Sequence, residues 1–203
     1  MEKESVLNKT MYDFSKKADL IQAIIIGLIA FLVPTFLAQL INAIFGAQSI
    51  VTTNSQIIVG SIVNSALIFS AINVKGWKKI IGVVTMPSIS TILSGYVFKS
   101  ASVYMVYMIP AIWIGNFVLI YAYKLIMLEK NKNYFLAGVV GIIAKVLVIF
   151  GCFEILNLFN IFPDKLVANL QKAMGLTQLI TASIGTLIMF IVYQIEKKKL
   201  TDK

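Results

Sequence analysis

The sequence predicts an all-α integral membrane bundle of six transmembrane helices, and three observations predict it. Six apolar runs, at 20–45, 56–73, 80–98, 102–124, 134–160 and 176–195, each approach the roughly 20 residues that a helix needs to cross hydrocarbon. The chain is 59% hydrophobic, with a mean hydropathy of +0.87, well above an ordinary soluble domain. Its lysines gather at every second junction between the runs.

That lysine pattern orients the bundle. The basic charge is all lysine, with no arginine. Lys3, Lys9, Lys16 and Lys17, then Lys75, Lys78 and Lys79, then Lys124, Lys130 and Lys132, then Lys197, Lys198, Lys199 and Lys203 occupy the N-terminus, alternate loops and the C-terminus. The opposite junctions hold Lys99, Lys165 and Lys172. Lysine-rich short loops stay cytoplasmic, so both ends are expected inside. The net charge of +9 flanks membrane spans without an arginine fork or a base-reading module, so anionic lipid is its expected partner and nucleic acid is not.

Residues 1–18 read as a polar, cytoplasmic N-terminal segment, 19–196 as the transmembrane domain and 197–203 as a cytoplasmic basic tail. Span one exceeds the roughly 7–15 apolar residues of a secretory signal core and lacks a small-residue cleavage site, so it reads as a retained helix. The loop 46–55 is uncharged and hydroxyl-rich. After Phe162-Pro163-Asp164-Lys165, the spacing of Leu166, Leu170 and Met174 predicts a short amphipathic helix on the outer surface. Both outer segments can serve as lids or as plain connectors. Span three carries Pro87 among hydroxyls and span four carries Pro110 before Gly115-Asn116. Two broken central helices and an irregular interior are expected from them.

Missing residue types exclude whole chemistries. There is one cysteine, Cys152, and no histidine. An iron–sulfur cluster, a zinc site, histidine-ligated haem and histidine-based nucleophilic catalysis are excluded by ligand count, so neither an enzyme nor a metal or other cofactor is expected. A Gly-x-x-x-x-Gly-Lys-Ser/Thr phosphate loop is absent as well. Uphill transport would draw on an ion gradient or on partner subunits.

Polar residues within the spans are where function is sought, because each is costly in hydrocarbon without a partner. Lys145 lies near the middle of span five, too deep to snorkel with ease. It reads as an anion ligand, an ion-pair partner, a neutral amine, or a structural lysine bonded to helix carbonyls. Glu154 lies nine residues on, on the opposite side of the helix and about 13 Å nearer the outside. Asn157 shares its face. Asn64, central in span two, and Asn116, in span four, lie at comparable depth to Lys145. A cluster of the three is geometrically allowed; interhelical hydrogen bonding, about 0.6–2 kcal/mol each, is the plainer use. Gln178 and Thr181 share a face near the outer end of span six.

The pattern resembles the substrate-binding S components of energy-coupling-factor (ECF) transporters, six-helix bacterial membrane proteins of about this size. The resemblance covers nearly the whole chain and rests on Gln56-Ile57-Ile58-Val59-Gly60 with Asn64, on Pro87-Ser88 with Gly95, and on Met108-x-Pro110-x-x-x-x-Gly115-Asn116. It implies an outward-facing pocket, built from the last three helices and capped by the first outer loop, for a vitamin-like small solute. Lys145, Glu154, Asn157, Gln178, Asn116 and Asn64, with the stackable Trp113 and Tyr107, are the expected solute contacts. It also implies a membrane coupling subunit and two cytoplasmic ATPase subunits in the cytoplasmic membrane. The coupling subunit docks in that family on small residues spaced four apart in helix one, here Ala23 and Gly27, followed by Ala30. An ion-coupled secondary transporter or small channel, with Lys145 and Glu154 as gating or proton-coupling groups, is the alternative.

Overall fold

The computed structural model describes residues 19–201; residues 1–18 and 202–203, which include much of the expected cytoplasmic segments, lie outside the described residues. Helices make up nearly all of the described chain, and no strand occurs among the described residues. α1 runs Asp19–Phe45, α2 Ile50–Thr53, α3 Ser55–Asn73 and α4 Trp77–Ser94. After a short 3-10 turn at Lys99–Ala101 come α5, Ser102–Met105, a second 3-10 turn, Val106–Met108, and α6, Ile109–Ala122, which winds into a π-helix over Tyr123–Glu129. α7 (Tyr134–Leu158), α8 (Asp164–Met174) and α9 (Leu176–Thr201) complete it.

Five stretches are long and apolar enough to cross a membrane: Ile21–Phe45, Ser55–Asn73, Lys99–Glu129, Tyr134–Leu158 and Asp164–Ile195. The chain is thus a multi-pass membrane protein by length and composition. The sixth expected span, α4, is a continuous helix but is diluted by Lys78, Lys79 and four hydroxyl residues between Thr85 and Thr91. Many of the large apolar side chains outside the core face outward, from Ile21 to Phe45 on α1 and from Leu136 to Leu158 on α7. That outward ring suits lipid, where the same residues would aggregate in water.

Cross-helix contacts set the direction of each helix. Lys79 donates to Gln22 at 2.9 Å, Gly82 abuts Gly27 and Ser90 donates to the carbonyl of Phe31. α1 and α4 therefore run parallel. α3 and α9 are parallel too, since Gly60 meets Thr181 and Ser65 meets Gly185. α6 opposes α4 and α7: Trp113 pairs with Ser88 and Asn116 with Val84, while Gly115 meets Ile149 and Gly141 meets Leu119. α7 likewise opposes α9, since Tyr134 meets Thr186 while Phe150 meets Gly175, just before α9. α1, α4 and α7 thus point one way and α3, α6 and α9 the other, which brings the start of α1 and the end of α9 to one end of the bundle. Lys75, Lys130 and Lys132 lie at that same end.

Two of the lysines read as loop residues prove buried. Lys124 is 0% exposed, and its Nζ donates to the carbonyl of Val74 at 2.9 Å. Lys79 is buried beside Gln22. Both still sit at the lysine-rich end, so the alternation holds even where the side chain has turned inward.

α4 of the same chain packs close to the small residues expected to face a coupling subunit. A Cβ added at Gly82 would stand 3.2 Å from Gly27 Cα and 4.0 Å from the carbonyl oxygen of Ala23, and Ala30 is buried. Only the Cβ direction of Gly27 stays open. Small residues let backbones approach, and here the approaching backbone is internal. Gly82→Val should therefore force α1 and α4 apart at a cost of about 1–3 kcal/mol, whereas Gly27→Ala should be nearly silent. Thermal unfolding of the two purified variants in detergent checks the contrast.

Proline acts differently in the two central helices. α4 passes through Pro87 without interruption, its hydroxyls bonding back to the helix from Ser88 to Thr85 and from Thr91 to Ser88. Pro110 falls in the first turn of α6, where its missing N–H costs nothing. The break in span four lies before it, in the alternating 3-10 and α turns of 99–108.

Candidate functional site

Two large apolar cores fill the bundle, beside a small third one of Ala38, Ile41 and Val59. One, at the lysine-rich end, gathers Leu67, Ile68, Val83, Leu119, Ile120 and Tyr123. The other, at the opposite end, gathers Met105, Met108, Ile149, Phe153, Phe162 and Leu170. Between them lies a polar layer.

Lys145 is its centre. The side chain is 2% exposed, and Nζ donates to Asn64 Oδ1 at 2.6 Å and to Asn116 Oδ1 at 2.8 Å. Both amides are held from behind. Asn64 Nδ2 donates to the carbonyl of Gly60 at 2.8 Å and to Thr181 Oγ1 at 3.1 Å, and Asn116 Nδ2 donates to the carbonyl of Val84 at 3.1 Å. With the amide nitrogens so engaged, each carbonyl oxygen is turned toward the lysine.

Glycines make this layer possible by letting helices close up. A Cβ at Gly185 of α9 would fall 2.8 Å from Asn64 Cβ and 2.9 Å from the backbone nitrogen of Ser65. One at Gly60 of α3 would fall 2.9 Å from Thr181 Cγ2. At Gly115 of α6 it would meet Ile149 at 2.7 Å. α3, α6, α7 and α9 thereby bring Asn64, Asn116, Lys145 and Thr181 within reach of one another.

A cavity of about 70 Å³ sits on this layer, lined by Asn64, Asn116 and Lys145 at its floor and by Gln56, Ser88, Phe98 and Gln178 above. No carboxylate lines it among the described residues. Two of its lining residues reach the last turn of α8: Gln56 Nε2 and Gln178 Nε2 both donate to the carbonyl of Ala173, at 3.4 and 3.5 Å. These long bonds tie α3 and α9 to α8. A larger open hollow, about 580 Å³, lies at the lysine-rich end against Tyr134, Phe135, Phe190 and Tyr193, where Tyr134 stacks on Tyr193 and Phe135 tilts against Phe190, and no buried charge faces it among the described residues.

The structure thus gathers Lys145, Asn64, Asn116 and Gln178 around one cavity and leaves the other expected contacts outside it. Glu154 accepts a bond from Gln171 of α8 at 2.9 Å, on the far side of α7 as its spacing requires. Asn157 lies half-buried near the end of α7, and Tyr107 is 54% exposed. Trp113 stands one step behind the cavity, its Nε1 donating to Ser88 Oγ at 2.8 Å. The sequence reading left out the lining residues Gln56, Ser88, Thr91 and Phe98. Gln56, Gly60 and Asn64 recur at intervals of four, a polar and small stripe on one face of α3 that was a readable signal.

The loop 46–55 folds into a defined turn. Ser49 Oγ accepts from the backbone N–H of Thr52, and buried Thr52 donates to the carbonyl of Gly46 at 2.7 Å. α8 is the amphipathic helix that the leucine spacing predicted, with Leu170, Ala173 and Met174 buried.

The fold and site define a multi-pass helical membrane protein built around a buried, amide-held lysine. Compared with protein-family models, curated proteins and solved structures, the chain matches none.

Proposed function

We propose that this chain is a membrane-embedded solute-binding subunit for high-affinity uptake, an S component of the ECF type. In this reading it has six spans, with α4 as the third, and has both termini on the cytoplasmic side of a bacterial cell membrane. The observation that carries the reading is the cavity over Lys145, Asn64 and Asn116, which lies toward the end opposite the lysine-rich loops. A solute from outside would enter by displacing the Ala173 carbonyl from Gln56 and Gln178. Energy would come from a membrane coupling subunit and two cytoplasmic ATPases. Because the Ala23–Gly27–Ala30 face is largely taken by α4, the coupling subunit would meet α1 on its outward apolar face, Ile21 to Leu32.

Protein purified without partners should bind one member of a broad panel of vitamins, nucleobases and amino acids saturably and with one-to-one stoichiometry by calorimetry. Binding of none of them removes the main support for this reading. The alternative is an ion-coupled secondary transporter or small channel, and the cavity's size favours it: about 70 Å³ falls well below the roughly 300–1,000 Å³ of small-molecule pockets. The S-component reading requires the outer segments to open. Uptake by the chain alone in liposomes, driven by an ion gradient, would establish the alternative.

A further inference from the structure

We propose that the cavity above Lys145 takes one singly charged anionic group no larger than a carboxylate or nitrate, with the Lys145 ammonium as its counter-charge. The inference rests on the reading of this cavity as the solute site and narrows the solute to one with such a group.

Donor and acceptor bookkeeping comes first. Both asparagines offer Nζ a carbonyl oxygen, at 2.6 and 2.8 Å. Neither can swap its amide end for its oxygen without losing the bonds to Gly60, Thr181 or Val84. An ammonium has three N–H groups, so one is left over, and the lysine lines the cavity.

Charge comes next. Nζ has two neutral amide oxygens as partners, and among the described residues no aspartate or glutamate lines the cavity. Glu154 is about 13 Å further along α7 and is engaged by Gln171. When protonated, Nζ carries a single positive charge with no counter-charge among the described lining residues, where a buried ion without one costs several kcal/mol. One monovalent anion neutralises it, whereas a dianion would replace one excess charge with another.

Size and donors agree. A cavity of about 70 Å³ corresponds to roughly two waters at ~30 Å³ each, enough for a halide, a nitrate or the carboxylate end of a larger molecule. The amides of Gln56 and Gln178, held by long bonds to Ala173, can turn to donate to the anion's remaining lone pairs. A larger solute would extend past them toward α8.

The test uses the full chain in detergent at pH 7, in a buffer whose only anion is the bulky sulfonate MES. Bromide, nitrate, acetate and sulfate are titrated while thermal unfolding is followed. Bromide, nitrate or acetate should raise the midpoint saturably by about 3 °C or more, and sulfate should not. Lys145→Met should abolish the rise. Asn116→Asp should abolish it as well, since it supplies a built-in carboxylate and keeps the lysine and the packing, so the outcome does not hang on one variant's folding. Equal midpoints in all anions, an equal response to sulfate, or a response kept by Asn116→Asp would overturn the proposal. A larger monocarboxylate that displaces bromide assigns the site to the end of an organic solute; bromide binding that monocarboxylates fail to displace assigns it to a free inorganic anion. A neutral solute bound tightly with no anion response would sink the anion site and leave the S-component reading standing. An anion response with no solute from the wider panel would do the reverse.

Discussion

Lys145→Met should cost the protein about 2–5 kcal/mol of solute affinity, a loss of roughly 30-fold to several-thousand-fold, while leaving the bundle folded. The two halves of that expectation have separate causes. Binding falls because the one lysine among the described lining residues is gone, and with it the ammonium that would pair with an anionic solute. Stability survives because methionine fills nearly the same space and takes a costly charge out of the interior, an exchange that is often neutral or stabilising. What is lost is one partner each for Asn64 Oδ1 and Asn116 Oδ1, at about 0.6–1.7 kcal/mol per bond in a membrane, and both amides keep their donor bonds. Calorimetry and thermal unfolding on the same preparation separate the two. Unchanged affinity would place the solute elsewhere; unfolding with no change in affinity would make Lys145 structural.

Gly185→Leu should have the opposite profile, with the fold lost first. The added Cβ alone would sit 2.9 Å from the Ser65 backbone nitrogen and 3.1 Å from the backbone carbon of Asn64. Backbone atoms of a packed helix have no rotamer to retreat into, so α9 must move away from α3 as a body. That movement breaks the Asn64–Thr181 bond and unseats the Asn64 carbonyl from Lys145. Overpacking of this kind costs about 1–3 kcal/mol before the leucine's remaining atoms are placed, and more when backbone is displaced. A drop in folded yield by size-exclusion chromatography and a lower unfolding midpoint are the expected readings. Gly151→Leu provides the control, because a Cβ there meets nothing within 4 Å. If Gly185→Leu unfolds no more easily than Gly151→Leu, the α3–α9 contact is not as close as described.

The depth of the polar residues was legible without coordinates. Counting from the ends of the apolar runs placed Lys145, Asn64 and Asn116 at similar heights, and the structure brings all three together. Rotation was not legible. Whether Asn64 faces α7 or lipid depends on how α3 meets α9, and that is settled by Gly185 and Gly60, each of which reads in sequence as a small residue without a direction. The same limit applies to Ala23, Gly27 and Ala30: their spacing announces a close neighbour but does not say that one such neighbour is Gly82, more than fifty residues on. Glu154 shows the converse. Its position opposite Lys145 followed from helical geometry alone, and its partner, Gln171, from nothing short of seeing α8 fold back on α7.

What the sequence determined by itself is therefore whatever depends on one helix at a time: length, apolarity, height of each polar group, and the end at which the lysines gather. These follow from a fixed rise and turn per residue and from the cost of moving charge through hydrocarbon, and neither needs a neighbour. Only the tertiary structure decided which faces meet, that Lys79 and Lys124 turn inward, and that a cavity of about 70 Å³ lies over an amide-held lysine. Those are properties of pairs and triples of helices, set by steric contacts of a few ångströms between residues far apart in the chain.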